Sequence, residues 1–220
     1  MIKLEVKNLT KKINNNLILD NVSMELESGN IYGFVGKNGS GKTMLFRAIV
    51  GLIKPTHGEI YINNIPVSHQ EPLPCTIGIV IENVGLYNEF TGYQNLKYLA
   101  SIRKCIGDNQ IIEVINRVGL DAKDKRTIKK YSLGMKQRIT IAQAIMEKPD
   151  ILLLDEPTNG LDKDGIELIR EIIRQEKERG ALILIASHNE EDIHLLCDKK
   201  YQVEQGKFEE SVSSLGGIEE

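Results

Sequence analysis

The sequence predicts an α/β fold built around a mainly parallel β-sheet. Residues 31–35, 151–154 and 181–186 are short, almost continuously apolar runs, which is typical of strands buried on both faces. Helical patterns lie beside these runs. Residues 44–49 follow the first of them, and the amphipathic stretch 166–179 ends before Gly180, a common residue after a helix. Buried strands alternating with helices indicate a parallel sheet covered by helices.

The remaining segments predict how the chain is organised. Residues 17–26 and 58–62 have the apolar spacing of strands, and the pair Asn63-Asn64 indicates a turn. Between residues 91 and 148 the apolar positions fall at helical spacing. We therefore expect a single domain over 1–220, with a core of about 1–90 and 149–220 and a helical lobe of about 91–148.

Composition and charge exclude several classes of protein. The 220 residues, 41% of them apolar, suffice for one sizeable core, and the net charge of −3 does not suit a nucleic-acid binder. The alternating start of the chain predicts a strand and not a signal peptide. No apolar run approaches the roughly 20 residues of a membrane-spanning helix, so we expect a soluble chain. Cys75, Cys105 and Cys197 lack metal-type spacing, and we expect free thiols that are buried or half-buried.

A glycine-rich loop follows the first apolar strand. Residues 36–43 match the pattern G-x-x-x-x-G-K-[ST] in full, and a helical segment follows them. In such a loop, glycines let backbone N–H groups point at phosphate oxygens, and the helix N-terminus favours negative charge. Lys42 is expected to reach the β- and γ-phosphates, and the Thr43 hydroxyl to bind Mg²⁺. The predicted phosphate-binding residues are Gly36, Asn38, Gly39, Ser40, Gly41, Lys42 and Thr43.

Two acids end the second apolar strand. Asp155 and Glu156 follow residues 151–154, and the carboxyl ends of strands are where α/β sheets bind ligands. We predict that Asp155 holds Mg²⁺ and that Glu156 orients the attacking water as a general base. Alone, the pair would be equally compatible with a solvated turn, and the phosphate loop upstream favours the catalytic interpretation.

The stretch Tyr131-Ser132-Leu133-Gly134-Met135-Lys136-Gln137-Arg138 resembles the Leu-Ser-Gly-Gly-Gln signature of ABC transporter nucleotide-binding subunits. The resemblance covers nearly the whole chain. It implies a P-loop NTPase core, an N-terminal antiparallel β subdomain and an inserted helical lobe. Ser132 is a good N-cap, so its hydroxyl and the amides near Gly134 are predicted to bind a phosphate. The resemblance implies that this phosphate belongs to ATP held by the opposite subunit. Leu133 replaces the first glycine of the signature, and Met135 replaces its glutamine.

Further elements follow in the family's order. Residues 159–162 resemble the D-loop, which implies that Asp162 lies near the ATP sites of a dimer. His188, after the strand 181–186, resembles the switch histidine that contacts the γ-phosphate. The resemblance therefore implies a homodimer or pseudo-dimer with ATP at its interface and Lys42, Glu156 and His188 in catalysis.

Two departures from the family concern metal and base binding. Glu82 stands where the family usually has glutamine, which implies a carboxylate ligand for Mg²⁺. Residues 81–87 and the Ser-Leu-Gly-Met signature resemble the subunits of bacterial bacitracin and lantibiotic exporters. Ile13 stands where the family commonly stacks an aromatic ring on adenine, so base recognition is expected to be weak.

The resemblance implies an ATPase that powers transport, with ATP and Mg²⁺ as cofactors and membrane permease subunits on separate chains. We expect it in the cytoplasm, peripheral to the inner face of the membrane, and acting in export of an antimicrobial peptide or similar substrate. The alternative keeps the ATPase but gives it a non-transport partner, such as nucleic acid or the ribosome. The chain lacks the long coiled-coil insert and the second cassette of those relatives. A non-catalytic nucleotide-binding module would lack Glu156 and His188.

Overall fold

The computed structural model describes residues 1–81 and 85–211, and these form two β-sheets with helices packed around them. The strands are β1 (Lys3–Ile13), β2 (Asn16–Glu27), β3 (Ile31–Val35), β4 (His57–Ile62), β5 (Ile65–Pro66), β6 (Ile77–Val80), β7 (Ile151–Asp155), β8 (Leu182–Ser187), β9 (Lys199–Glu204) and β10 (Lys207–Ser211). The α-helices are α1 (Lys42–Ile49), α2 (Gly92–Arg103), α3 (Asp108–Arg117), α4 (Leu133–Ile145), α5 (Lys163–Glu178) and α6 (Glu190–Leu196), and residues Ile128–Lys130 form a short 3₁₀ helix.

The first sheet is antiparallel, with the strand order β2-β1-β4-β5. Along β2 the apolar residues Val22, Met24 and Leu26 are buried while the residues between them are exposed. This alternation places one face of the sheet on the core and the other in solvent. The N-terminal antiparallel subdomain expected from the sequence is thereby confirmed.

The second sheet has the order β10-β9-β3-β8-β7-β6 and is parallel except for the β9–β10 pair. Every residue of β7 and of β8 is buried, which explains their continuous apolar sequences. The predicted α/β fold with a mainly parallel sheet is confirmed. Because β3, β8 and β7 are neighbours, the segments that follow their carboxyl ends meet at one edge of the sheet.

Three helices, α2, α3 and α4, lie in the chain between β6 and β7 and share one cluster of buried side chains. Leu96, Ile115 and Ile139 contribute one fully buried side chain from each helix. Thr91 begins α2 with a capping box, in which its hydroxyl accepts a hydrogen bond from the N–H of Gln94. Within the described residues, no helix is both long and apolar enough to cross a lipid bilayer.

Helix α5 begins earlier than its apolar pattern suggests. The sequence pattern indicated residues 166–179, but the helix starts at Lys163 because Asp162 caps it. The Asp162 carboxylate accepts a hydrogen bond from the N–H of Gly165 at 3.0 Å. Capping by an aspartate satisfies a backbone donor that a helix end would otherwise leave unpaired.

The three cysteines differ in exposure. Cys75 and Cys197 are half-buried, as expected, but Cys105 is exposed, so the expectation that all three are buried or half-buried is wrong for Cys105. It follows the end of α2, where the chain turns at Lys104 in the left-handed conformation. Burial raises the pKa of the Cys75 thiol to about 11 and that of the Cys197 thiol to about 12.

Alkylation should therefore separate the three thiols. Only the thiolate reacts, and burial keeps Cys75 and Cys197 protonated at pH 7 to 8 and shields them from the reagent. Desolvation and the Glu147 carboxylate also raise the pKa of Cys105, but its thiol is exposed to the reagent. We expect iodoacetamide to label Cys105 first in the native protein and all three cysteines in urea. Peptide mass spectrometry over time gives the order, and labelling of Cys197 as fast as Cys105 would contradict it.

Candidate functional site

The glycine-rich loop lies between β3 and α1, with its residues arranged around the N-terminus of the helix. Gly39 and Gly41 have φ of 80° and 116°, a left-handed conformation in which a side chain would be strained. A Cβ on Gly41 would also stand 2.9 Å from the carbonyl oxygen of Ile18. The backbone of this loop can follow its path only because glycine occupies these positions.

Lys42 is the first residue of α1, and it is buried. Its ammonium donates hydrogen bonds to the carbonyl oxygens of Gly36, at 2.5 Å, and Lys37, at 3.1 Å. The cation is thus held inside the curve of the loop and next to the helix N-terminus. Positive charge at a helix N-terminus suits an anionic ligand.

Ser40 has an unsatisfied hydroxyl. Its Oγ atom is buried, and no hydrogen-bond partner for it is found among the described residues. Burying a polar atom without a partner is costly, and such atoms are uncommon in folded proteins. A phosphate oxygen lying in the loop would accept a hydrogen bond from this hydroxyl, so the loop fits a phosphate group.

The two acids lie beside this loop, at the end of β7. Asp155 is buried, and its Oδ2 atom accepts a hydrogen bond from the hydroxyl of Thr43 at the start of α1. A hydroxyl and a carboxylate brought together in this way are oxygen ligands of the kind that Mg²⁺ prefers. The residues present therefore fit a magnesium ion bound next to the phosphate loop.

Glu156 is held against the end of the neighbouring strand β8. One carboxylate oxygen, Oε1, accepts a hydrogen bond from the N–H of His188 at 3.0 Å and lies 2.8 Å from His188 Nδ1. The other, Oε2, accepts a hydrogen bond from the Ser187 hydroxyl at 3.0 Å. The His188 side chain is 60% exposed while that of Glu156 is 14% exposed, so the ring can still turn toward a ligand.

Ser187 was not identified as a site residue from the sequence. It immediately precedes His188 at the end of a buried strand, and that position is the signal that could have revealed it. Gln137 and Arg138 lie in the stretch that resembles the signature, and their sequence context predicts no role for them. Gln137 donates hydrogen bonds to the carbonyl oxygens of Glu156 and Pro157, and Arg138 forms an ion pair with Asp162 at 3.0 Å.

The predicted ligand-binding residues lie in two separate clefts. The phosphate-loop cleft is lined by Ile13, Ile18, Asn38, Gly39, Ser40, Gly41, Lys42, Thr43, Met44, Asp155 and Glu156. The signature cleft is lined by Gly119, Leu120, Asp121, Asp124, Arg126, Ser132, Leu133, Gly134, Met135, Arg138, Gly160 and Asp162. The two clefts share no lining residue, so one chain does not bring Ser132, Gly134 and Asp162 to the phosphate loop.

The signature cleft opens on the N-terminus of α4. The Ser132 hydroxyl accepts a hydrogen bond from the N–H of Met135 at 3.2 Å, which confirms the predicted N-cap. Ser132 is exposed, and the first turn of the helix is therefore open to a ligand. Leu133 is 67% exposed on the same surface.

Two predicted residues remain to be located. Ile13 ends β1 and lines the phosphate-loop cleft, where its side chain is 41% exposed and offers a base an aliphatic surface. Glu82, the third predicted metal ligand, lies outside the described residues, and its role stays a prediction.

The amino-acid sequence is similar to those of known ATP-binding proteins. Residues 19–159 match the model of the family described as ABC transporter. The uncharacterized ABC transporter ATP-binding protein YybJ of Bacillus subtilis is 50% identical over 94% of this chain and 95% of its own. The lantibiotic transport ATP-binding protein SrtF of Streptococcus pyogenes is 37% identical over 93% of this chain and 88% of its own. The bacitracin transport ATP-binding protein BcrA of Bacillus licheniformis is 40% identical over 95% of this chain and 69% of its own.

Solved structures give the same picture. A dimeric structure of a bacterial ABC transporter cassette superimposes with a TM-score of 0.84, at 26% identity, over 94% of this chain and 96% of the cassette. A dimeric post-hydrolysis structure of that cassette with ADP and phosphate bound has a TM-score of 0.85, at 26% identity, over 98% of this chain and the whole of that one.

Proposed function

Because this chain belongs to the ABC transporter family and is an ATP-hydrolysing, ATP-binding subunit of it, we propose that it powers transport by separate membrane subunits through ATP-sandwiched dimerisation. ATP would bind the phosphate loop of one chain and be covered by the signature of another. The separation of the two clefts in a single chain is the observation that carries this proposal.

ATP binding would rest on the loop 36–43. The buried Ser40 hydroxyl and the backbone N–H groups would donate to phosphate oxygens, and Lys42 would exchange its two carbonyl partners for the β- and γ-phosphates. The ammonium is already inside the loop, so little reorganisation is needed when the anion arrives. Ile13 would contact the base only through its aliphatic side chain.

Hydrolysis would use Glu156 as the general base. The oxygen of a water molecule attacks the γ-phosphorus, the bond from phosphorus to the β–γ bridging oxygen breaks, and the carboxylate accepts a proton from the water. ADP and inorganic phosphate are the products. His188 would turn from Glu156 toward the γ-phosphate, which its exposed ring permits.

The metal would be held by Thr43 and Asp155, whose side chains already touch, with Glu82 as the further ligand. Bound Mg²⁺ supplies neutralisation of the negative charge that develops on the phosphate oxygens. The oxygen atoms of the three side chains are hard ligands of the type that this ion requires.

If ATP lies between the phosphate loop of one chain and the signature of another, two similar substitutions at Ser132 should have opposite effects. Asp and Asn are both good N-caps, so each should leave α4 intact. Asp places a negative charge where the partner's γ-phosphate would lie, and Asn does not. In a Glu156→Gln background, we expect ATP to dimerise the Ser132→Asn protein and to leave the Ser132→Asp protein monomeric, as measured by sedimentation velocity.

ATP binding itself should be equal in the two proteins, since Ser132 does not line the phosphate-loop cleft of its own chain. Fluorescence titration with a labelled nucleotide provides that control. Dimerisation of the Ser132→Asp protein to the same extent as the Ser132→Asn protein would contradict the proposal that ATP binds between the phosphate loop of one chain and the signature of another.

The membrane partner would dock beside α2. Tyr87, Phe90 and Tyr98 form an aromatic cluster with ring centroids 5.1 to 6.3 Å apart. Tyr87 and Tyr98 are 48% and 47% exposed, and Ile102 on the same helix is 69% exposed. Exposed aromatic surface of this kind marks protein–protein contacts. We propose that residues 91–148 act as the lobe that receives this partner.

The substrate would be an antimicrobial peptide or a similar compound that is exported. The support is the similarity to ATP-binding proteins of lantibiotic and bacitracin transport. In that role the chain would lie in the cytoplasm, on the inner face of the membrane. The negative net charge of −3 argues against nucleic acid as its partner.

A further inference from the structure

Gln137 connects α4 to the backbone of the proposed catalytic base. Its Nε2 atom donates hydrogen bonds to the carbonyl oxygen of Glu156, at 3.1 Å, and to that of Pro157, at 3.0 Å. The side chain is half-buried, and its partners lie after the end of β7. A helix that is remote in the chain therefore supports the segment that presents the Glu156 carboxylate.

The residue that Gln137 supports, Glu156, has a strained backbone conformation. Glu156 has a φ of 50°, a left-handed conformation that is unfavourable for a residue with a side chain. Such a conformation persists only where surrounding contacts impose it. The Glu156 N–H donates to the carbonyl of Ala186 at 2.8 Å, and the carbonyl of Glu156 accepts from Gln137. Strand β8 thus binds the N–H of the strained residue, and helix α4 binds its carbonyl oxygen.

The same helix contacts the segment after Glu156 at two more places. Leu133 packs so closely on Gly160 that a Cβ there would meet its Cδ2 atom at 2.5 Å, and the φ of Gly160 is 74°. Arg138 forms an ion pair with Asp162 at 3.0 Å. The first two turns of α4 therefore hold residues 156–162 from one end to the other.

We propose that Gln137 is a positioning residue that holds Glu156 in its left-handed conformation and so aims the carboxylate at the attacking water. This inference rests on the proposed function, in which Glu156 is the base. Gln137 does not line the phosphate-loop cleft, so it would act through Glu156. Without its two hydrogen bonds, the Glu156 peptide relaxes toward ordinary backbone angles and the carboxylate leaves the productive position.

The test replaces Gln137 by methionine, which has similar length and lacks both donors. We expect kcat for ATP hydrolysis to fall about tenfold, the size expected for losing a pair of aimed hydrogen bonds, while KM stays within about twofold. Gln143→Met, the same change at a half-buried glutamine of α4, should leave kcat within about twofold of the wild-type value. Gln137→Asn, which keeps the amide on a shorter chain, should lose as much as Gln137→Met.

A double variant separates positioning from a general loss of structure. In a Glu156→Gln background the base is already absent, so Gln137→Met should change the residual rate by less than about twofold. A tenfold loss in that background would overturn the proposal, and so would a normal kcat in both Gln137→Met and Gln137→Asn.

Sedimentation with ATP distinguishes failure of this inference from failure of the proposed function. If Glu156→Gln dimerises with ATP and Gln137→Met keeps full kcat, the inference alone is wrong. If Glu156→Gln hydrolyses ATP at the normal rate, the assignment of the base is wrong and the inference is overturned with it.

Discussion

Replacing Glu156 by glutamine is expected to lower the rate of ATP hydrolysis by about 10²–10⁴-fold while ATP binding is retained. The amide keeps the shape of the side chain, and its oxygen can still accept hydrogen bonds from the His188 N–H or the Ser187 hydroxyl. It cannot take a proton from water at neutral pH. Release of phosphate in the steady state and nucleotide titration measure the two quantities separately.

Glu178→Gln is the matched control, because it makes the same change of charge at an exposed position near the end of α5. We expect it to hydrolyse ATP at the wild-type rate. A normal rate in the Glu156→Gln protein would show that another group activates the water.

Replacing Lys42 by alanine should instead abolish tight ATP binding. The substitution removes the buried cation of the phosphate loop and also its two hydrogen bonds to the loop carbonyls. Hydrogen bonds that involve a charged group contribute more than neutral ones, so losing those to two phosphates should raise the Kd for ATP by roughly 100-fold or more. Isothermal titration calorimetry with ATP and Mg²⁺ measures the change.

Lys37→Ala provides the control for this variant. Lys37 belongs to the same loop, but its side chain is exposed, and we expect its loss to change the Kd by less than about threefold. A thermal melt of each variant checks that the fold is retained. Equal Kd values for Lys42→Ala and the wild type would show that Lys42 does not contribute to ATP binding.

Much of the fold could be predicted because its signals are local. The apolar runs that became β3, β7 and β8 are continuous, and burial on both faces of a parallel sheet requires that pattern. The Ser132 cap was predictable for a similar reason, since it depends only on a serine directly before the helix and on the N–H of Met135 three residues later. Exposure of Cys105 was not predictable, because it depends on how the turn after α2 meets its surroundings.

By itself, the sequence determined where the phosphate loop lies, since residues 36–43, the strand before them and the helix after them are contiguous. Their geometry follows from glycine torsion angles and from one helix N-terminus. Only the tertiary structure decided how Glu156 is held. His188 and Gln137 are 32 and 19 residues away in the chain, and both reach Glu156 through sheet order and helix packing. The tertiary structure was likewise needed to show that the phosphate-loop cleft and the signature cleft share no residue. Such contacts form between elements distant in sequence, and their partners are chosen by the packing of the whole core and not by any local pattern.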